Sequence, residues 1–273
     1  MKKFEGLLFC TDLDGTLYND KKQVSKENLD AIEYFKSEGG LFTFITGRVP
    51  LTSSEICKVI RPNAPYGCTN GAGIYDPVQD KFLWKLTIPQ DVTVLVQAVE
   101  AEMPEVGIQF NTEDGIYFYK DNDTLVNFRR ATGAPYLPCG LEKLQEPQLK
   151  IILGHNDGSV VDRVAELVAA HPMADRFDFV RSELALFDLL PKGAGKGTAL
   201  LKMTEILGID PAKTIAIGDY NNDISMLKNA GLSFAVANAV PQAKAAAKYT
   251  TVSNNEHAIA AVVDRLDRGE FTF

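Results

Sequence analysis

The sequence predicts an α/β fold in two parts: a parallel sheet with helices on both faces, interrupted by an inserted α+β module. Three observations carry this. Near-continuous apolar runs alternate with amphipathic, capped segments over the chain's two outer parts. Hairpin-like pairs of alternating residues fill the middle. The composition, 45% hydrophobic and 23% charged over 273 residues, suits one large domain or two medium ones.

The elements follow in order. Strand-like runs are "GLLFCTDL", "GLFTFITG", "LKIILG", "ALFDLL" and "KTIAIGD". Ser25 is a natural N-cap for "SKENLDAIEYFKSEGG", which stops at Gly39–Gly40. A second helix, "LTSSEICKVIRP", ends before Pro62. A third, "GKGTALLKMTEILGID", carries Leu200, Leu201, Met203, Ile206 and Leu207 on roughly one face and ends at Gly208. In the middle, "YGCTNGAGIYDPVQDKFLWKL" reads as a hairpin turning at Asp76–Pro77. "PQDVTVLVQAVEAEMP" reads as a helix, and "VGIQFNTEDGIYFYKD" as a hairpin turning at Asp114–Gly115. "LKIILGHNDGSVVDRVAELVAAHP" is strand, loop and helix, and "DRFDFVRSELALFDLLPKG" is a strand pair. The insert is placed at residues 83–188, with the core split into 1–82 and 189–273.

The formal net charge of −8 argues against nucleic acid and against a membrane-surface patch. No apolar window reaches membrane-spanning length, and Asp12 interrupts the only N-terminal apolar run. Cys10, Cys57, Cys68 and Cys139 are scattered without a CxxC pair, which suits reduced thiols in a cytoplasm. The expected state is a monomer or weak homodimer.

The acids raise the functional question. "LLFCTDLDGT" aims a hydrophobic strand at Asp12 and Asp14, spaced i, i+2, then turns on Gly15. In an open parallel sheet, ligands gather beyond the carboxyl ends of the strands. "LFTFI" ends at Thr46-Gly47-Arg48, and "TIAI" ends at Gly218-Asp219-Tyr220-Asn221-Asn222-Asp223. Carboxylates collected at one edge repel without a cation. Oxygen ligands with no local His or Cys suit a hard ion, Mg²⁺. Lys196 in "GAGKGT" adds a positive charge at that edge. A P-loop is excluded, because Leu190 and Gly197 stand where GxxxxGK[ST] needs glycine and a hydroxyl residue. His155, His171 and His257 lack partners in sequence and read as structural or exposed.

Four segments in order, "DLDGT", "ITGR", Lys196 and "GDYNND", resemble the signatures of the haloacid dehalogenase superfamily. "TNGAG" at 69–73 and the insert's position are similar to its Cof-type, sugar-phosphatase-like branch with a large α/β cap. The resemblance spans essentially the whole chain and implies a Rossmann-like core. It implies an Mg²⁺-dependent phosphatase acting on a small phosphorylated metabolite, a sugar phosphate, through an aspartyl-phosphate. Asp12 inherits the role of nucleophile, and Asp14 that of general acid and then base. Asp12, the Asp14 backbone carbonyl and Asp219 inherit the metal, with Asp223 holding metal-bound water. Thr46, Gly47 and Lys196 inherit the phosphate, and Asn222 orients Lys196 or the phosphate. A phosphomutase using the same nucleophile, or a non-catalytic phospholigand-binding module, are the alternatives.

Overall fold

Strand Leu8–Thr11 lies fourth in a five-stranded parallel sheet whose order is Tyr249–Thr250, Leu232–Ala235, Thr214–Gly218, Leu8–Thr11, Leu41–Phe44. This is a computed structural model, and it describes residues 2–273. Cys10 stands opposite Ala216 on one side and Thr43 on the other. All four residues of the strand are buried, as an unbroken apolar run in a parallel sheet requires. The backbone contacts divide the chain into two compact units: 1–47, 54–84 and 195–273 form the first, and 48–53 with 85–194 the second.

In the first unit, Ser25 caps helix Lys26–Ser37 by accepting the Asn28 N–H at 3.3 Å. Gly208, in the left-handed region, terminates helix Lys196–Leu207. That helix buries Lys196, Ala199, Leu200, Met203 and Thr204, whereas Leu201 and Ile206 are exposed. The expected apolar face is therefore rotated: Gly197 and Ala199 let the helix lie close, with Gly197 against the Ser225 carbonyl. Aromatic rings fill the core. Phe4 stacks on Phe35 at 4.7 Å, Phe44 on Tyr66 at 4.4 Å, and Phe9 meets Phe42 at 5.2 Å. Each such ring contributes about 1.5–3 kcal/mol by burial. Strands Tyr66–Cys68, Gly73–Asp76 and Lys81–Lys85 form a separate three-stranded sheet.

The second unit is a five-stranded antiparallel sheet ordered Ile116–Lys120, Gly107–Asn111, Lys150–Gly154, Leu186–Pro191, Phe177–Glu183. Two of the five apolar runs read from sequence thus pair antiparallel. The expected edge at 188/189 falls inside strand Leu186–Pro191, which pairs along its length with Phe177–Glu183. Helices Thr93–Glu102 and Gly158–Ala170 pack Val96, Val99, Val161, Val164 and Val168 against Ile108, Phe110, Ile151 and Leu153. A helix not expected from the sequence, Asp123–Thr132, is capped by Asn122 and ended by left-handed Gly133. Its Leu125 clusters with Val49, Ile116 and Phe118.

Candidate active site

The parallel ladder runs one residue past the first strand. The Asp12 N–H donates to the Ile217 carbonyl at 2.9 Å, which fixes the carboxylate at the strand's end. Asp219 follows directly on strand Thr214–Gly218. Lys196 begins helix Lys196–Leu207 and is 1% exposed. Its ammonium donates to Asp12 Oδ1 at 2.5 Å and to Asp223 Oδ1 at 2.6 Å. Asp223 Oδ2 accepts the backbone N–H of Asp219 at 2.9 Å and of Tyr220 at 3.0 Å, which closes the turn after the strand. Thr16 Oγ1 donates to Asp219 Oδ1 at 2.9 Å.

The structure therefore brings Asp12, Lys196, Asp219 and Asp223 together, 211 residues apart at the extremes by number. Asp14 lies near enough for its charge to lift Asp219, and its Oδ1 accepts from Lys22 Nζ at 2.9 Å. Thr46 is buried; its N–H donates to the Gly67 carbonyl at 2.9 Å and its own carbonyl accepts the Asn70 N–H at 3.0 Å. Gly47 abuts the Asn70 amide, where a Cβ would stand 2.8 Å from Asn70 Oδ1. Asn222 directs its Nδ2 to Asn70 Oδ1 at 3.1 Å. Asp20, a further acid six residues after Asp14, is instead engaged by Asn254 and Asn255.

The electrostatics define what the cluster can hold. One ligand oxygen from each of Asp12, Asp219 and Asp223 lies within 4.8 Å of the others. Three carboxylates thus face a single ammonium. Burial pushes the Asp12 carboxyl well above its usual range, with Asp223 and Asp219 adding repulsion against the pull of Lys196. Burial and then Asp223 push Asp219 up to about 6. Lys196 is desolvated too, but its two carboxylate partners outweigh that and hold it charged. The residual negative charge and the all-oxygen donor set fit a hard divalent cation. Both oxygens of Asp223 are already engaged, which leaves the Asp12 and Asp219 carboxylates as the ones available to an ion. Among the described residues, nothing donates to Asp12 Oδ2.

Three contributors were not assigned from sequence. Thr16 closes the "DLDGT" segment, where a hydroxyl two residues after Asp14 is a usable signal. Asn70 was noted within "TNGAG" without a role. Asn238 donates its Nδ2 to the Gly15 carbonyl at 2.8 Å, while the Val240 N–H donates to the Asp219 carbonyl at 2.9 Å. One loop thereby pins both acid-bearing turns, and no local sequence spacing announces it.

A parallel sheet with an aspartate, a buried lysine and a second acidic turn at its carboxyl edge defines a hydrolase class built around a strand-end carboxylate. The chain belongs to the haloacid dehalogenase-like hydrolases, whose family model matches residues 9–263. It is 26% identical over 257 residues to the 5-amino-6-(5-phospho-D-ribitylamino)uracil phosphatase YitU of Bacillus subtilis, covering 93% of this chain and 94% of that one. It is 26% identical over 238 residues to the HMP-PP phosphatase of Escherichia coli O6:H1, covering 87% and 86%. A solved haloacid dehalogenase-like hydrolase from B. subtilis superposes with a TM-score of 0.82 at 26% identity, over 97% of this chain and 100% of that one. The family and fold expected from the four signatures are thus met.

Proposed function

We propose that this chain is an Mg²⁺-dependent phosphatase that releases phosphate from a small phosphorylated metabolite through an aspartyl-phosphate on Asp12. The observation that carries the reading is Lys196 Nζ, buried between Asp12 Oδ1 and Asp223 Oδ1 at 2.5 and 2.6 Å. Lys196 opposes protonation of Asp12 and orients it, with Oδ2 left to attack phosphorus. Asp12, the Asp14 carbonyl and Asp219 would hold Mg²⁺, which when bound supplies charge neutralisation between the carboxylate and the incoming phosphate. Asp14 protonates the leaving oxygen and then takes a proton from the hydrolytic water. Thr46 and Gly47 bind a phosphate oxygen, and Asp223 seats Lys196 while its other oxygen keeps the 219–223 turn closed.

Relatives that act on a phosphorylated ribitylamino-uracil and on HMP-PP support a small-metabolite substrate, and a sugar phosphate is the reading carried from the Cof-type resemblance. Residues 83–188 are read as a cap that selects the leaving group, because groups that bind only phosphate cannot tell one ester from another. Among the described residues no helix is long and apolar enough to cross a membrane, and all four cysteines are free thiols. Those facts are compatible with a cytoplasmic enzyme; a monomer or weak homodimer is the state carried from the sequence reading. The test is phosphate release over a panel of sugar phosphates, nucleotides and phosphorylated cofactors with Mg²⁺. Release from one class well above the rest is expected, and silence across the panel with folded protein would overturn the reading.

A further inference from the structure

Residues 69–71 adopt a backbone that sequence alone would not choose. Thr69, Asn70 and Gly71 all have positive φ, at 55°, 53° and 87°. A β-branched residue in the left-handed region is an outlier, and each such non-glycine residue costs on the order of 1–3 kcal/mol. All three residues are buried, so contacts elsewhere in the unit must hold the turn in this conformation.

Its contacts show what is gained. The Asn70 N–H donates to the Thr46 carbonyl at 3.0 Å. Asn70 Oδ1 accepts the Asn222 Nδ2 at 3.1 Å. Gly71 is packed so closely on the start of the lysine helix that a Cβ there would lie 2.1 Å from the Gly195 carbonyl oxygen and 2.8 Å from the Lys196 nitrogen. One strained turn thus meets the segments that carry Thr46, Asn222 and Lys196. These come from three separate stretches of chain.

We infer that Asn70 is a positioning residue of the phosphate pocket: its amide oxygen fixes the rotamer of Asn222, and its backbone N–H anchors the Thr46 turn. This rests on the phosphatase reading and deepens it. The left-handed backbone is what points the Asn70 amide at Asn222 while its N–H still reaches Thr46, so the strain is the cost of doing both with one residue. Asparagine is among the few side-chain-bearing residues that tolerate this φ and also offer an acceptor.

The test separates side chain from backbone. Asn70→Gly keeps the conformation accessible and removes the amide. The protein should fold, with Tm within a few degrees of wild type. The inhibition constant for inorganic phosphate and the KM for the best ester should both rise about tenfold, with kcat changed less. A double-mutant cycle then reads the coupling: adding Asn222→Ala should cost the wild-type enzyme a large factor and Asn70→Gly almost nothing. In Asn70→Asp, which retains the acceptor and the backbone tolerance, adding Asn222→Ala should again cost close to the wild-type factor. Wild-type phosphate affinity in Asn70→Gly, or an Asn222→Ala penalty undiminished in its presence, would overturn the inference. Wild-type protein that neither turns over an ester nor binds phosphate would instead remove the phosphatase reading itself.

Discussion

Gly15→Ala tests the site at its narrowest point. Gly15 has φ +81°, and a Cβ placed on it would lie 2.4 Å from Asp219 Oδ2 and 2.9 Å from Asp219 Cγ. Two effects separate. The left-handed backbone costs an alanine about 1–2 kcal/mol. The overlap must also be relieved: ordinary contact begins near 3.4 Å, so the carboxylate retreats by about 1 Å. Displacement of that size at a reacting centre is worth on the order of 100-fold in rate. Gly6→Ala is the control, since Gly6 has φ +80° and its Cβ would meet nothing closer than Lys213 Nζ at 3.9 Å. Both variants should lose similar stability in thermal melts. Only Gly15→Ala should need more Mg²⁺ for half-maximal phosphate release, and it should lose about 100-fold in kcat/KM. Equal activity in the two variants would refute the claim that Asp219 must sit where Gly15 allows it.

Other expectations follow from the same charges. Lys196→Met leaves Asp12 and Asp223 buried without their ammonium, a change worth about 3–5 kcal/mol where the charges persist; turnover should fall by at least about 10²–10³-fold on every ester, and a substrate-selective loss would count against the assignment. Asp219, raised to about 6 from its ordinary 3.8, binds a proton more tightly folded than unfolded, so its ionisation removes stability as pH rises between those values. Mg²⁺ competes with that proton, so the Tm increase produced by Mg²⁺ should be larger at about pH 7.5 than at about pH 5; an increase independent of pH would place the ion elsewhere. If residues 83–188 select the substrate as proposed, changes there should redistribute kcat/KM across esters without shifting the Mg²⁺ requirement, and uniform losses across a substrate panel would deny that segment a selecting role.

The site was legible where chemistry and strand ends coincide. Asp12, Thr46 and Asp219 each follow an apolar run, and a parallel sheet aligns such ends by construction, so composition and order sufficed. Lys196 was legible as a charge before a helix, but its burial between two carboxylates was not, because a lysine at that place in sequence is normally solvated. Asn222 was expected to face Lys196 or the phosphate; its bond to Asn70 spans 152 residues and depends on a left-handed turn no propensity favours. Asn238 reaches Gly15 across 223 residues and carries no motif of its own. In the fold, Leu201 and Ile206 misled because size was read as burial, while the helix packs through Gly197 and Ala199. Helix Asp123–Thr132 had both its signals, Asn122 and Gly133, but its apolar stripe is thin, with only Thr124 and Leu125 buried. "ALFDLLPKG" reads as a strand in either unit, and only its pairing with Phe177–Glu183 decides.

The central claim is that Asp12 carries the phosphoryl group. Acid quenching during turnover with Mg²⁺, followed by peptide mass spectrometry, tests it directly. The account predicts a labile phosphate adduct on the peptide holding Asp12, absent from folded Asp12→Asn, which should release no phosphate. Steady release by Asp12→Asn, or an adduct mapped to a different residue, would contradict it.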